Sequence, residues 1–367
     1  MRTRALLVLS LISISLVTLF AIQLVLYHLA PGYVAPLGIF GFMWLWWLID
    51  ALAYVVAIAT LVLSGTILGR FIERRVPADM DALRASMIST AAAVLGGVML
   101  VFGVVAYLLG EELTASVGLM AFLFAAVPSA VTWLFAPCLV NAFYGCRRDP
   151  ELQRVVNEVA RRAGMSPPIA MRSPMAVPNA FAYSSPIAGR FVAVTEGLLR
   201  TLKSEDELRA VIGHELGHHK HRDNAVMLLF GMLPTAIYYM GRFLLYVGLF
   251  SGRYADGGRR REGGSGLLVA AVGGLLIAFS IIVQIAVLAL SRLREFYADA
   301  HGAKVTSPYS MIGALRSLDS FYKRFGKSVI ENSRIKTLFV YAFTEPFVGL
   351  EELFATHPPV WKRVAFL

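Results

Sequence analysis

The sequence is poor in cysteine and in charged residues. It has 2 cysteines in 367 residues, and Asp, Glu, Lys and Arg together make up 16% of the chain. So few cysteines exclude a disulfide scaffold and a Cys-rich zinc module. Soluble domains carry about 25% charged residues, so the low charge argues against an ordinary soluble protein. The hydrophobic content of 57% also excludes intrinsic disorder.

Long hydrophobic runs account for this composition and for the mean hydropathy of +0.65. A membrane-spanning helix needs about 20 predominantly apolar residues. We therefore predict a four-helix transmembrane region over residues 1–146 and two further hydrophobic helices within 225–290, joined by a Gly/Arg-rich loop. The runs are 6–29, 39–68, 87–109, 117–140, 225–250 and 266–290.

The arginines predict an orientation for the early helices. Eight arginines fall on one side if each early run crosses, and loops 30–38 and 110–116 carry no Lys or Arg. Positive residues accumulate on the cytoplasmic side, so both ends of the first region are predicted to be cytoplasmic. The four arginines between runs five and six break this pattern. Those two runs therefore span fully, dip into the bilayer or pack on protein, and the sequence leaves these alternatives open.

Only residues 147–224 and 291–367 are long stretches with the composition of a soluble domain, and we predict that they fold together outside the hydrophobic helices. Apolar spacing predicts a helix over 151–163. Short apolar runs broken by proline predict a small sheet with strands at 169–172, 180–183 and 191–195. Ser204 with Glu207 forms a capping box, which predicts a helix from there to about Arg222.

That last helix contains the motif with the clearest chemistry, His214-Glu215-Leu216-Gly217-His218. Residues four apart lie on one helix face, so two imidazoles can bind one metal ion. Glu215 follows the first imidazole and is placed to take a proton from a water activated by the metal. Zinc accepts imidazole and carboxylate ligands. The alternative is an exposed His-rich helix, and we interpret His219 and His221 as bystanders.

A metal site of this kind needs a third ligand. Candidates follow the last hydrophobic run, where Glu295 and Asp299 share one helix face. Glu295 could complete a site of two histidines and one glutamate, and Asp299 could orient a ligand imidazole from behind. Equally, both could be solvated acids that pair with Arg292 and Arg294.

Four motifs resemble those of the HtpX-like membrane zinc metalloproteases, relatives of the CAAX prenyl endoproteases. The family pattern implies a mainly α membrane protein with an α+β zincin-type (gluzincin) domain and a small edge-strand sheet. The chain has four early hydrophobic runs where such proteins typically have two. The motifs are PNAFA at 178–182, HELGHHKHRD at 214–223, SRLREFYADAHGAK at 291–304 and ELFATHPPVWKR at 352–363.

The resemblance covers residues from about 150 onward, so we expect 147–224 and 291–367 to form the catalytic domain. It implies roles for several of the matching residues. It implies one zinc ion held by His214, His218 and Glu295, with Glu215 as catalytic base and Asp299 one turn beyond the third ligand. Asn179, Ala180 and Phe181 would lie on the strand that pairs with an extended peptide substrate. Candidates for stabilising the transition state are His357, then Tyr297 and Arg363.

The expected function is hydrolysis of peptide bonds by a multi-pass plasma-membrane endopeptidase. The ligands follow or precede apolar runs by about 8–10 Å of helix, which predicts a site at the cytoplasmic membrane surface. Expected partners are the lipid bilayer and protein or peptide substrates, misfolded membrane proteins above all, and not nucleic acid. A role in membrane-protein quality control and stress response fits this position and the resemblance.

Three other functions are compatible with parts of the sequence. An intramembrane zinc protease is disfavoured because charged residues flank the histidine motif on both sides. A CAAX-type prenyl protein endoprotease shares the zinc motifs and normally has more spans. A channel or scaffold without enzymatic activity would need Asp50, Arg242 and Gln284 to line a pathway.

Overall fold

A computed structural model of the chain describes residues 52–53, 55–56, 59–60, 76–250, 264–332 and 357–367. The first predicted span, nearly all of the second, Asp50 and the loop 251–263 lie outside the described residues. The predicted division of the chain into domains stays a prediction.

The described part is mainly helical, with one small sheet, and this confirms the predicted fold class. The two cysteines, Cys138 and Cys146, are free. The helices are α1 (Met80–Leu109), α2 (Glu111–Tyr144), α3 (Pro150–Arg162), α4 (Glu196–Thr201), α5 (Glu205–Lys220), α6 (Asp223–Phe250), α7 (Gly264–Val305), α8 (Pro308–Asn332) and α9 (Val360–Phe366). The strands are β1 (Arg147–Arg148), β2 (Ile169–Ser173), β3 (Ala180–Ser185) and β4 (Gly189–Thr195).

Helices α1, α2, α6 and α7 are long and apolar enough to cross a membrane. Helix α1 begins where Asp79 accepts hydrogen bonds from the backbone N–H groups of Asp81 (3.0 Å) and Ala82 (2.8 Å). It ends before Gly110, whose φ of 91° is one that glycine adopts without strain. Only 11% of the most apolar stretch of α1 is buried. Such a surface suits contact with lipid.

The described residues form two compact units. One unit takes residues from 1–61, 100–125 and 233–282, and its apolar core includes Leu245, Tyr246, Ala270 and Ile277. The other takes residues from 62–99, 126–232 and 283–367. The sheet and every described candidate site residue belong to this second unit.

The sheet has the order β1-β2-β4-β3, so β3 lies at an edge. Strands β2 and β4 are parallel, and β3 runs antiparallel to β4. Helix α3 buries Leu152, Val156 and Val159 in the core with residues of the sheet and of α5. Burial of this apolar surface is the main stabilising contribution at the sheet. The predicted helix and three predicted strands are thus confirmed to within a few residues.

Candidate metal centre and active site

Helix α5 carries the histidine motif and begins as predicted. The Ser204 hydroxyl accepts a hydrogen bond from the Glu207 N–H at 3.2 Å, and the Glu207 carboxylate accepts one from the Lys203 N–H at 2.9 Å. These contacts satisfy two backbone donors that a helix start leaves without partners. Deeper in the helix, His214 and Glu215 are each only 6% exposed. The motif is therefore in the protein interior, and the exposed His-rich helix does not occur.

Two glycines let α5 and α7 approach closely. A Cβ on Gly302 would lie 2.9 Å from the Ala210 carbonyl oxygen, and a Cβ on Gly213 would lie 3.1 Å from the Gly302 Cα. Real Cβ atoms essentially never approach to 2.9 Å, and 3.1 Å is tighter than nearly all real Cβ contacts, so a larger residue at Gly302 would push the helices apart. This close crossing brings the acidic face of α7 within reach of the histidines.

The three predicted metal ligands come together. The Nε2 atoms of His214 and His218 are 3.1 Å apart. The Glu295 oxygens lie 3.6 Å from the His214 Nε2 and 3.5 Å from the His218 Nε2. One ligand atom from each residue lies within 4.8 Å of the others. This group can hold one metal ion.

A carboxylate supports each of the two imidazoles. The Nδ1 of His214 lies 2.9 Å from Asp299, and the Nδ1 of His218 lies 2.7 Å from Asp223. A carboxylate accepts, so each Nδ1 carries the proton and each Nε2 presents a lone pair. Two lone pairs that face each other at 3.1 Å repel unless a cation lies beside both. The protonation pattern therefore fits a metal ion bound at the Nε2 atoms.

Glu295 supplies a second reason to expect a metal ion. It is 5% exposed, and its Oε2 accepts no well-aligned hydrogen bond from the described residues. The Nδ1 of His357 approaches this oxygen to 2.7 Å. Burying a carboxylate is costly unless a cation compensates its charge. The residues present therefore fit a metal ion with imidazole and carboxylate ligands.

Arg363 forms an ion pair with Asp299, which also contacts the His214 ring. Its Nε and Nη2 donate to the two Asp299 oxygens at 2.7 and 2.6 Å. Burial opposes the charge on Arg363, but the carboxylates of Asp299, Glu295 and Glu215 outweigh it and raise the pKa of the guanidinium. The pair keeps Asp299 ionised and oriented towards His214. Neither Glu295 nor Asp299 is thus solvated, and Arg363 contacts the acid that orients the candidate ligand His214.

Tyr297 is not brought to the metal-ligating group. Its ring packs edge-on against His221, with centroids 4.2 Å apart, and its side chain contacts Arg84. His357 does reach the group and is 52% exposed at its side chain. Of the three candidates for stabilising the transition state, His357 is therefore the one that contacts a predicted ligand while about half of its side chain stays exposed.

Asn179, Ala180 and Phe181 lie at the start of the edge strand β3. The Asn179 carbonyl accepts a hydrogen bond from the Thr195 N–H at 3.0 Å, so position 179 faces β4. Facing and outward groups alternate in an antiparallel pair, so the N–H and C=O of Ala180 and Ala182 point to the outer edge. This edge has the backbone groups that an added strand requires.

Sequence reasoning missed three supporting residues. Asp223 lies five positions after His218, and a left-handed residue, Arg222 (φ 54°), turns the chain between them. His219, interpreted as a bystander, is buried and donates from Nε2 to the Phe191 carbonyl at 2.8 Å, which ties α5 to β4. His301 donates to the Gly213 carbonyl at 2.9 Å and ties α7 to α5. Of these three residues, only Asp223 had a signal in the sequence, which is its position close to the histidine motif.

These features define a class. A buried HExxH helix, a carboxylate close to both of its histidines and a sheet edge with outward backbone groups are typical of the site of a metallopeptidase. The long apolar helices indicate a membrane protein.

Comparisons with known proteins narrow the class. Residues 146–367 match the peptidase family M48. A protein named Protease HtpX homolog from Archaeoglobus fulgidus is 44% identical over 271 residues, or 68% of this chain and 76% of that protein. A protein of the same name from Aeropyrum pernix is 41% identical over 309 residues, or 76% of this chain and 95% of that protein. The solved structure of S. mikatae Ste24p matches with a TM-score of 0.48 and 19% identity, over 76% of this chain and 64% of that one.

The chain belongs to peptidase family M48. It is a membrane metalloprotease, and its substrates are proteins or peptides. The resemblance of its four motifs to the HtpX-like metalloproteases is confirmed.

Proposed function

We propose that the protein is a zinc endopeptidase that acts at the cytoplasmic membrane surface, with His214, His218 and Glu295 as ligands of one zinc ion per chain. This proposal rests on three converging atoms that can bind a metal ion. They are the Nε2 atoms of His214 and His218, which carry no proton because each ring is protonated at Nδ1, and an oxygen of the buried Glu295 carboxylate. Two imidazoles and a carboxylate are a common catalytic zinc set, and such sites keep a further position open.

Glu215 is the proposed general base. A bound zinc ion would supply Lewis acidity towards water and towards the carbonyl group to be cleaved. Glu215 follows the ligand His214 in the chain, is 6% exposed, and is not among the three converging ligands. It would take a proton from the attacking water and return it to the amine nitrogen as the peptide bond breaks.

The outer edge of β3 is the proposed substrate strand. An extended peptide would pair with the outward backbone groups of Ala180 and Ala182, next to Asn179 and Phe181. Pairing through the main chain depends little on the side chains of the substrate, so it suits a protease that accepts many sequences. The geometry supports this through the edge position of β3 and its packing against α5.

His357 is the proposed donor to the oxyanion that forms on the substrate. Its exposed imidazole lies 2.7 Å from Glu295, so a substrate carbonyl at the ligand group would be in reach. Arg363 is a positioning residue, since its donors are directed to Asp299. Tyr297 lies against His221 instead.

The short distance between the site and the apolar part of α7 supports membrane proteins as the substrate class. Helix α7 continues without a break from its apolar part into Glu295, five residues after Leu290, or about 8 Å along the helix. A site so near the bilayer suits membrane proteins whose damaged segments emerge from it. The arginine pattern favours the cytoplasmic side, and quality control of misfolded membrane proteins is the proposed role.

The test is cleavage of casein and of a denatured membrane protein by the purified full-length chain. We expect cleavage that stops on metal chelation, returns with zinc, and is lost in Glu215→Gln. Glu205→Gln on the same helix is the control, because Glu205 is 62% exposed and pairs with Arg209. Cleavage confined to a prenylated C-terminal peptide would favour the CAAX-type function, and no cleavage of any substrate would favour the non-enzymatic one.

A further inference from the structure

A cavity of about 320 Å³ lies in the second unit and does not include the proposed zinc ligands. It lies where the polar ends of α1, α6 and α7 meet. Five of the residues that line it are polar or aromatic: Arg84, His221, Asp223, Arg294 and Tyr297. The proposed protease chemistry leaves most of these side chains without a role.

Two arginines and one carboxylate line the cavity, and one of the arginines has an unused donor. Arg294 is 9% exposed at its side chain, donates from Nη2 to Asp223 and to the His221 carbonyl, and has no acceptor for its Nε among the described residues. Asp223 also accepts from His218. Its single charge is thus shared. Arg84 adds a second cation that is 58% exposed, and its only ion partner among the described residues is Asp81 at 3.2 Å, which is 90% exposed and does not line the cavity. A buried donor without an acceptor indicates a missing acceptor in the cavity. Beside two guanidinium groups, an anionic acceptor would bind most strongly.

The same cavity has an apolar wall on the membrane side. Met87 and Ile88 follow Arg84 by one turn of α1 and also line it. Ile88 is 70% exposed on a helix apolar enough to span the bilayer. A cation pair beside lipid-facing apolar side chains at a helix end matches a molecule with an acidic head and a hydrocarbon tail.

We propose that this cavity binds the phosphate of an anionic membrane phospholipid. Arg84 and the Nε of Arg294 donate to the phosphate oxygens, with Tyr297 beside Arg84, and the acyl chains lie along Met87 and Ile88. Arginine is well suited to this, because its guanidinium donates in parallel to phosphate oxygens. The binding does not depend on zinc or on peptide hydrolysis.

The experiment is a lipid titration of the full-length chain in detergent, read by native mass spectrometry. The probes are a phosphatidylglycerol, a diacylglycerol with the same chains, and inorganic phosphate alone. We expect phosphatidylglycerol to bind more tightly than either of the others. Arg84→Gln should weaken its binding about tenfold or more, the loss expected for one charge-assisted hydrogen bond. Arg148→Gln, an exposed arginine on β1 that does not line the cavity, should leave it unchanged.

The controls give three ways to overturn the proposal. Equal binding of diacylglycerol would show that the phosphate is not recognised. Equal binding of inorganic phosphate would assign the cavity to a free anion. Equal effects of Arg84→Gln and Arg148→Gln would show that the lipid binds through general surface charge. Because Arg84 is exposed, its replacement should leave the thermal midpoint of the lipid-free protein unchanged, and this checks that the variant folds.

Discussion

Asp299→Asn tests whether the carboxylates behind the histidines hold the metal centre together. Asp299 is fully buried, accepts from both donors of Arg363, and accepts from the His214 Nδ1. Asparagine keeps the size and one oxygen but removes the negative charge. The change leaves Arg363 buried without its ion partner and weakens the hold on the His214 ring.

Two magnitudes follow from this geometry. Loss of a carboxylate that orients a ligand imidazole typically costs about 10–100-fold in metal affinity or activity. Removal of one partner of a buried ion pair typically costs about 3–5 kcal/mol in stability. The asparagine side chain would still accept one hydrogen bond, so we expect a loss near the lower end, about 3 kcal/mol.

Zinc affinity is measured by competition with a chromogenic chelator, and stability by denaturation of the metal-free protein in detergent. Asp206→Asn is the matched control, since Asp206 is 73% exposed and pairs with Arg209. Wild-type zinc affinity in Asp299→Asn, with stability equal to that of the control, would refute the supporting role of Asp299.

Three further predictions test other parts of the molecule. Proline at Ala180 or Ala182 should reduce cleavage without loss of zinc, because it removes an outward backbone donor; unchanged cleavage in the double variant would remove β3 from substrate binding. Reporter fusions after Cys146 and after Leu367 should both report cytoplasm, and an external signal at either point would contradict the proposed side. Burial lowers the pKa of His219 to about 4 from the ordinary 6.5, against the hydrogen bond to Phe191. The folded state thus binds fewer protons, so stability should fall as the pH drops from about 6.5 towards 4. His219→Gln keeps a donor but cannot titrate, and it should show a shallower pH dependence of the thermal midpoint of the metal-free protein; an identical slope would contradict the assignment.

Local patterns in the sequence predicted the elements that depend on neighbouring residues. The capping box at Ser204 set the start of α5, and proline-broken apolar runs marked β2, β3 and β4. The four-residue spacing by itself placed His214 and His218 on one helix face. Each of these signals lies within one or two helical turns or one strand, which is the range that periodicity and capping report.

Contacts between distant segments were beyond such patterns. The hydrogen bond from His301 to Gly213 joins residues 88 positions apart, and that from Arg363 to Asp299 joins residues 64 apart. The close crossing at Gly213 and Gly302 gives no periodic signal. Residue spacing alone left Glu295 and Asp299 equally open to a role as solvated acids, and only the resemblance favoured the ligand role.

The zinc content and turnover of two glutamate variants test the central proposal most directly. Glu215 is proposed as base and Glu295 as ligand, so Glu215→Gln should keep stoichiometric zinc while turnover falls at least about 10²–10⁴-fold. Glu295→Ala should lose both zinc and turnover, as should His214→Ala. If Glu295→Ala kept wild-type zinc and turnover while Glu215→Gln lost its zinc, the assignment of ligand and base would be contradicted.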